Sequence, residues 1–286
     1  MQIATGTVQR SMLDAPVMND IFNEEPELSP AKPAATMVIM HSDPDGGPPK
    51  LLMVERVKTM AFAGGAAVFP GGKVDKADFD FARSLGNDLT LGLDIDEVAA
   101  RLAAIRETIE EAGLALGLAG VGDPADCEAA RDALNSQSST LRDVCDTQGW
   151  TPDLAKLIPW ARWRPPTHER ASRVYDTRFY LVDAGHAQLN AVVDATENSA
   201  LFWASAQEAL DYADEGRIHI IFPTRRNLER LAQFPNFSDA ADHAHAHPVR
   251  TVLTYIDKRA DGTFLRIPAD HGYPVTEEPV ASASRG

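Results

Sequence analysis

The sequence predicts an α/β or α+β protein, and three observations lead there. Short apolar, β-branched runs alternate with helix-length amphipathic segments, no internal repeat relates them, and clusters of turn-forming residues separate them. At 286 residues the chain can bury a substantial core, as one elaborated domain or two small ones.

The elements follow in order. "ATMVIMH" (35–41) and "LLMVERV" (51–57) read as the strands of a hairpin, because "SDPDGGPPK" between them is dense in residues that turn the backbone. In "AFAGGAAVFPGGKVDKADFD" (61–80), Gly64, Gly65, Gly71 and Gly72 bracket a short strand and leave the backbone free to approach a ligand. A helix starts near Asp94, where Asp94 and Glu97 stand at capping-box spacing, and stops at Gly113. On its last two turns Glu107, Glu110 and Glu111 fall within an arc of roughly 100°. Leu102, Ile105, Ile109, Ala112 and Leu116 take the opposite side. Such an acidic face is either solvated or built to meet a cation.

Residues 124–158 read as mostly helical and polar, with Pro124 and Pro152 at helix starts. "SRVYDTRFYLVDA" (172–184) and "ALFWAS" (200–205) read as strands, followed by helices at about 206–214 and 222–233. "VRTVLTYIDKRADGTFLRIP" (249–268) reads as a final hairpin turning at Asp261-Gly262. Residues 1–33 are expected as a flexible arm, 34–268 as the folded domain and 269–286 as a C-terminal tail.

A formal charge of −15 argues against a general binder of nucleic acid or of anionic membranes, which needs a basic surface. An anionic substrate would need a local basic pocket, and one basic island stands out. Arg162, Arg164, Arg170, Arg173 and Arg178 face only Glu169 and Asp176 in that stretch. Two cysteines, Cys127 and Cys145, suggest a reducing compartment, and no apolar run reaches transmembrane length, so a cytoplasmic location is expected. The oligomeric state is left open.

The glutamate helix and the upstream glycines together resemble the Nudix box, G-x5-E-x7-R-E-U-x-E-E-x-G-U with U apolar. Its second half stands as Arg106-Glu107-Thr108-Ile109-Glu110-Glu111-Ala112-Gly113-Leu114, with Thr108 at an apolar position. Its first half stands as Gly71-Gly72-Lys73-Val74-Asp75-Lys76-Ala77-Asp78, with Asp78 where the family has a glutamate. Asp78 and Arg106 are 28 positions apart, twenty more than the pattern. An expanded loop there, with "LLMVER", "TPDLAKLIPWARWRPP", "RVYDTRFYLV" and "FPTRRNLERLAQF", resembles the Nudix hydrolase 19 subgroup of coenzyme A diphosphatases over roughly residues 35 to 235. The coenzyme A motif of other Nudix subfamilies has an arginine where this chain has Ala61; the nearest upstream arginine is Arg56.

The resemblance implies a Nudix fold, an α/β/α sandwich with a mixed sheet carrying a helical insertion at about 118–158. It implies Mg2+- or Mn2+-dependent hydrolysis of a diphosphate bond in a small-molecule substrate, coenzyme A or acyl-coenzyme A first. NADH or ADP-ribose is the alternative within the class, and a non-catalytic Nudix ligand-binding module the alternative outside it. Hard cations prefer oxygen donors, which suits a carboxylate site. Glu107 and Glu111 are assigned to metal, with Glu110 a further ligand or a water-orienting group and Gly72 offering backbone. Arg106 locks the helix to neighbouring carboxylates, and Arg56 and Arg173 are substrate-binding candidates. The catalytic base is left between Glu197 and Asp176. His243, His245 and His247 read as a polar surface segment, and Trp160 and Trp163 as packing anchors.

Overall fold

The computed structural model describes residues 31–43, 45–57, 63–165, 174–185, 191 and 198–283. The hairpin forms as expected, from β1 (Lys32–His41) and β2 (Lys50–Arg56), but the two strands pair only near the turn, with Met40 opposite Leu51 and His41 opposite Lys50. Beyond that they diverge. The short strands β3 (Ala67–Val68) and β4 (Gly71–Lys73) fill the wedge, β3 on β2 and β4 on β1. The glycine-rich segment therefore lies in a fork of the sheet.

Helices α1 (Lys76–Ser84) and α2 (Asn87–Thr90) follow, and then α3 (Ile95–Ala112). The Asp94 side chain accepts the Glu97 N–H at 2.8 Å, and Gly113 ends α3 at a φ of 70°, the left-handed conformation glycine adopts without steric cost. Leu116 falls beyond this stop and is not part of the helix. The next segment carries β5 (Leu118–Ala119), α4 (Pro124–Asn135), α5 (Leu141–Gln148) and β6 (Thr151–Pro152). Pro124 starts its helix as expected, whereas Pro152 pairs in a two-stranded ladder with Leu118.

Strands β7 (Ile158–Arg164), β8 (Tyr175–Asp183) and β9 (Asn198–Ser205) lead to helices α6 (Ala206–Asp214), α7 (Phe222–Leu231) and α8 (Phe237–Ala246). Among the described residues the main sheet is eight-stranded and mixed: β1 runs parallel to β8, while β2 and β9 are antiparallel. Side-chain alternation divides its core in two. Met37, Ile39, Leu52, Tyr180 and Val182 meet α3, α4 and α5 on one face. Val38, Met40, Leu51, Met53, Phe179 and Leu181 meet α6, α7 and α8 on the other. This is the expected α/β/α sandwich. A register irregularity between Pro159 and Ala161 lets Trp160 and Trp163 enter the same core, where their ring N–H groups donate to Asn227 and to the Tyr273 hydroxyl.

The C-terminal region departs from the sequence reading. Strand β10 (Thr251–Leu253) joins the main sheet parallel to β7, so the hairpin is confined to β11 (Tyr255–Arg259) and β12 (Gly262–Arg266). Residues 269–283, expected as part of a tail, contain the buried Tyr273, strand β13 (Glu277–Pro279) paired to β12, and α9 (Val280–Ala283). Apolar contact and strand pairing hold this segment to the domain. The N-terminal arm lies outside the described residues, except that β1 already begins at Lys32. Among the described residues no helix is long and apolar enough to cross a membrane.

Candidate active site

The acidic face of α3 is not a solvated face. Glu111 is 4% exposed, and the side chains of Glu107 and Glu110 are only 14% and 20% exposed. Strand β4 lies against Glu107 and Glu111. The Gly71 N–H donates to Glu111 Oε2 at 2.9 Å, and a Cβ on Gly72 would overlap the Glu107 carboxylate. Gly71, at a φ of 157°, would likewise drive a Cβ into the Ala35 carbonyl. The two glycines thus let a backbone lie directly on a row of carboxylates.

Gly72→Ala is therefore expected to fold and to displace Glu107. Overpacking at a tight contact costs about 1–3 kcal/mol, and a misplacement of about 1 Å in a catalytic group costs about 100-fold in rate. Steady-state activity alongside the melting temperature tests this. Unchanged activity would remove the contact from the site.

Arg106 organises the cluster. Its Nε and Nη2 donate to the two Asp78 carboxylate oxygens at 3.1 and 3.0 Å, Nη2 also donates to the Lys73 carbonyl, and Nη1 donates to Glu107 at 3.0 Å and Glu110 at 2.8 Å. Burial opposes the guanidinium's charge, but Glu107, Asp78 and Glu110 outweigh it and hold Arg106 above the ordinary arginine range. Asp78, whose side chain is 1% exposed, anchors this arginine and also accepts the Asp75 N–H at the start of α1. The locking role expected for Arg106 is what its bonds describe.

Electrostatically one guanidinium, Arg106, stands against Asp78, Glu107, Glu110 and Glu111. Burial, reinforced by Glu110 and Glu111, pushes Glu107 up to about 8 despite the adjacent Arg106. Burial also raises Glu110. Among the described residues no group of three or more His, Cys, Asp or Glu side chains is arranged to hold an ion. Arg106 holds Glu107 and Glu110 in this arrangement, while Glu111 is turned to Gly71. In donor chemistry the residues fit a hard divalent cation: all are carboxylates, and burial with two acidic neighbours drives Glu107 towards protonation.

The other candidates separate. Asp176 gives both carboxylate oxygens to Arg162, each at 2.7 Å, which makes it part of an ion pair between β7 and β8. Arg178 pairs with Glu97 of α3 at 3.2 Å, so two members of the basic island are committed to structure. Arg173, Arg170 and Glu197 lie outside the described residues. Arg56 is half-buried at the fork; its Nε makes no hydrogen bond among the described residues.

Sequence reasoning missed two sets of partners. Arg131 and Asn135, both on α4, donate to the Glu110 carbonyl at 3.1 and 3.2 Å, so the helical insertion buttresses the end of α3. Asn198 stands opposite Arg56 in the β2–β9 ladder, 1% exposed, with both side-chain polar atoms unbonded among the described residues. No spacing signal connects residues so far apart in the chain.

The comparisons with known proteins bear on the family and the fold. The model of the NUDT19 Nudix domain matches residues 86–231, just over half of the chain. The chain is 28% identical to the acyl-coenzyme A diphosphatase NUDT19 of Gallus gallus, covering 79% of this chain and 73% of that one. To the Homo sapiens protein of the same name it is 26% identical, covering 78% and 72%. Among solved structures, a Nudix hydrolase from Alicyclobacillus acidocaldarius superposes with a TM-score of 0.61 at 24% identity, over 75% of this chain and 96% of that one, which supports the fold. The split box, closed in space by Asp78 and Arg106, and the domain match that spans α3 lead to one assignment: the chain belongs to the NUDT19 Nudix domain family and is a Nudix hydrolase.

Proposed function

We propose that this enzyme hydrolyses the diphosphate bond of coenzyme A or an acyl-coenzyme A, yielding adenosine 3′,5′-bisphosphate and a 4′-phosphopantetheine product. The observation that carries the reading is the buried carboxylate row of α3 laid against Gly71-Gly72, three glutamates with one arginine, Arg106, among them. The relatives named acyl-coenzyme A diphosphatase support the choice of substrate. Glu107, Glu110 and Glu111, with Gly72 backbone, are the residues proposed to hold Mg2+ or Mn2+. When bound, such an ion screens diphosphate charge and acidifies water.

The chain's own residues do the rest. Arg106 keeps Glu107 and Glu110 in register with Asp78 and Lys73. Arg56 and Arg173 are proposed to bind substrate phosphates, and Glu197 to take the proton from the attacking water, since Asp176 is engaged by Arg162. A cytoplasmic location accords with the two free thiols of Cys127 and Cys145.

The deciding experiment is a product-resolved panel of coenzyme A, NADH, ADP-ribose and dinucleoside polyphosphates, with magnesium or manganese, in heavy-oxygen water. Label in one phosphate product of coenzyme A is expected. Thioester cleavage with an intact diphosphate rejects the mechanism, and preference for NADH or ADP-ribose rejects the substrate. For Arg173, a grip on the 3′-phosphate predicts that Arg173→Ala weakens kcat/KM for coenzyme A by about 1.5–3 kcal/mol and spares dephospho-coenzyme A. Equal losses on both substrates reject the 3′-phosphate contact.

A further inference from the structure

On the face of the sheet away from the glutamates, a solvent-open cavity of about 300 Å³ is lined by Trp160, Arg230, His247, Arg250, His271 and Tyr273, among others. Arg230 is its unusual wall. It is 2% exposed, its Nη1 donates to the Trp160 carbonyl at 2.8 Å, and its guanidinium lies over the Trp160 ring at 3.8 Å and faces Tyr273 at 5.2 Å. Nε and Nη2, the pair on one edge of the fork, have no hydrogen-bond partner at ordinary distance and angle among the described residues, and the polar group that acts on the guanidinium is the Tyr273 hydroxyl, not a carboxylate.

A buried cation without a counter-ion is costly, and cation–π contact only partly compensates it. The other charges at the cavity do not supply the missing anion. Asp270, the acidic residue in the lining, already pairs with Arg250 at 2.7 Å and with the His271 ring at 3.0 Å. Arg250 and Asp270 offset each other, and His247 Nδ1 is bonded to the His243 carbonyl, so Arg230 is the uncompensated positive charge of the wall in a chain of net charge −15.

We infer that this cavity is an oxyanion-binding site, separate from the diphosphate site, that takes a phosphate or carboxylate group. The free edge of Arg230 has the geometry that pairs bidentately with two oxygens of such a group. Nε and Nη2 are covered from water in this arrangement, so binding requires the side chains over them to move aside. The volume accommodates a small anion with part of its hydration shell.

The test uses the full chain in EDTA, so that nothing held through a divalent ion contributes. Inorganic phosphate and malonate are titrated separately by calorimetry at constant ionic strength, with tryptophan emission as a second signal because Trp160 lines the site. One saturable site per chain for either anion is expected, and the preferred anion identifies the group. Binding should weaken at least tenfold in Arg230→Met and in the exposed-rim variant Arg250→Ala, and stay unchanged in Glu111→Gln. If Arg230→Met fails to fold, Arg250→Ala and His271→Ala together decide. No saturable binding to the wild type, binding indifferent to the rim variants, or binding lost in Glu111→Gln overturns the inference.

Discussion

Glu111→Gln is expected to leave the chain folded and to lower diphosphate hydrolysis by about 100- to 1,000-fold, the scale on which loss of one preorganised charge-stabilising group acts. The substitution keeps volume and helix propensity, and a glutamine oxygen can still accept the Gly71 N–H now bonded at 2.9 Å. What it removes is a charge from a row already arranged around one arginine. Turnover at saturating metal, with the melting temperature as the folding control, checks the result. Near-normal turnover in a folded variant would return Glu111 to a purely structural role.

The second large effect is on stability. Asp78→Ala removes the carboxylate that takes two hydrogen bonds from Arg106 and leaves a largely buried guanidinium short of a partner. Breaking a buried pair from one side costs about 3 kcal/mol or somewhat more. At roughly 2–4 °C per kcal/mol, the melting temperature should fall by roughly 6–12 °C. Activity should fall with it, because Arg106 also holds Glu107 and Glu110. Asp78→Asn, which keeps the shape and an acceptor oxygen, should recover part of both losses. A melting temperature unchanged in Asp78→Ala would show that Glu107, Glu110 and the Lys73 carbonyl suffice to hold Arg106.

Much of this was legible in the sequence because it rests on local rules. The limits of α3 follow from Asp94 and Gly113, residues whose side-chain acceptor and positive φ act within one turn. The placement of Glu107, Glu110 and Glu111 follows from helical spacing. What stayed hidden depends on partners distant in sequence. Arg162 with Asp176, and Arg178 with Glu97, spend two members of an apparent basic island on ion pairs that no spacing rule anticipates. Strand β10 looks like half of a hairpin until β7 offers it an edge. Tyr273 looks like tail sequence until its hydroxyl is found beneath Trp163. The depth at which the glutamates lie was also hidden, because helical periodicity says which residues share a face and not what covers it.

The wide separation of Asp78 and Arg106 along the chain bears on how this fold tolerates change. Closing a loop becomes costlier only logarithmically with its length, by about 0.6 kcal/mol per doubling. Stretching the spacing to 28 residues is under two doublings, so its entropic cost is on the order of 1 kcal/mol. Leaving Arg106 without Asp78 would cost more than that, about 3 kcal/mol. The intervening chain includes α2, which buries no residue, and Leu91, which is 51% exposed, so it is free to vary in length while the ends stay fixed. Between α1 and α3 this enzyme therefore has a natural point for accepting or losing residues, at the ends of both helices remote from Asp78 and Arg106, where a change of length leaves their pairing in place.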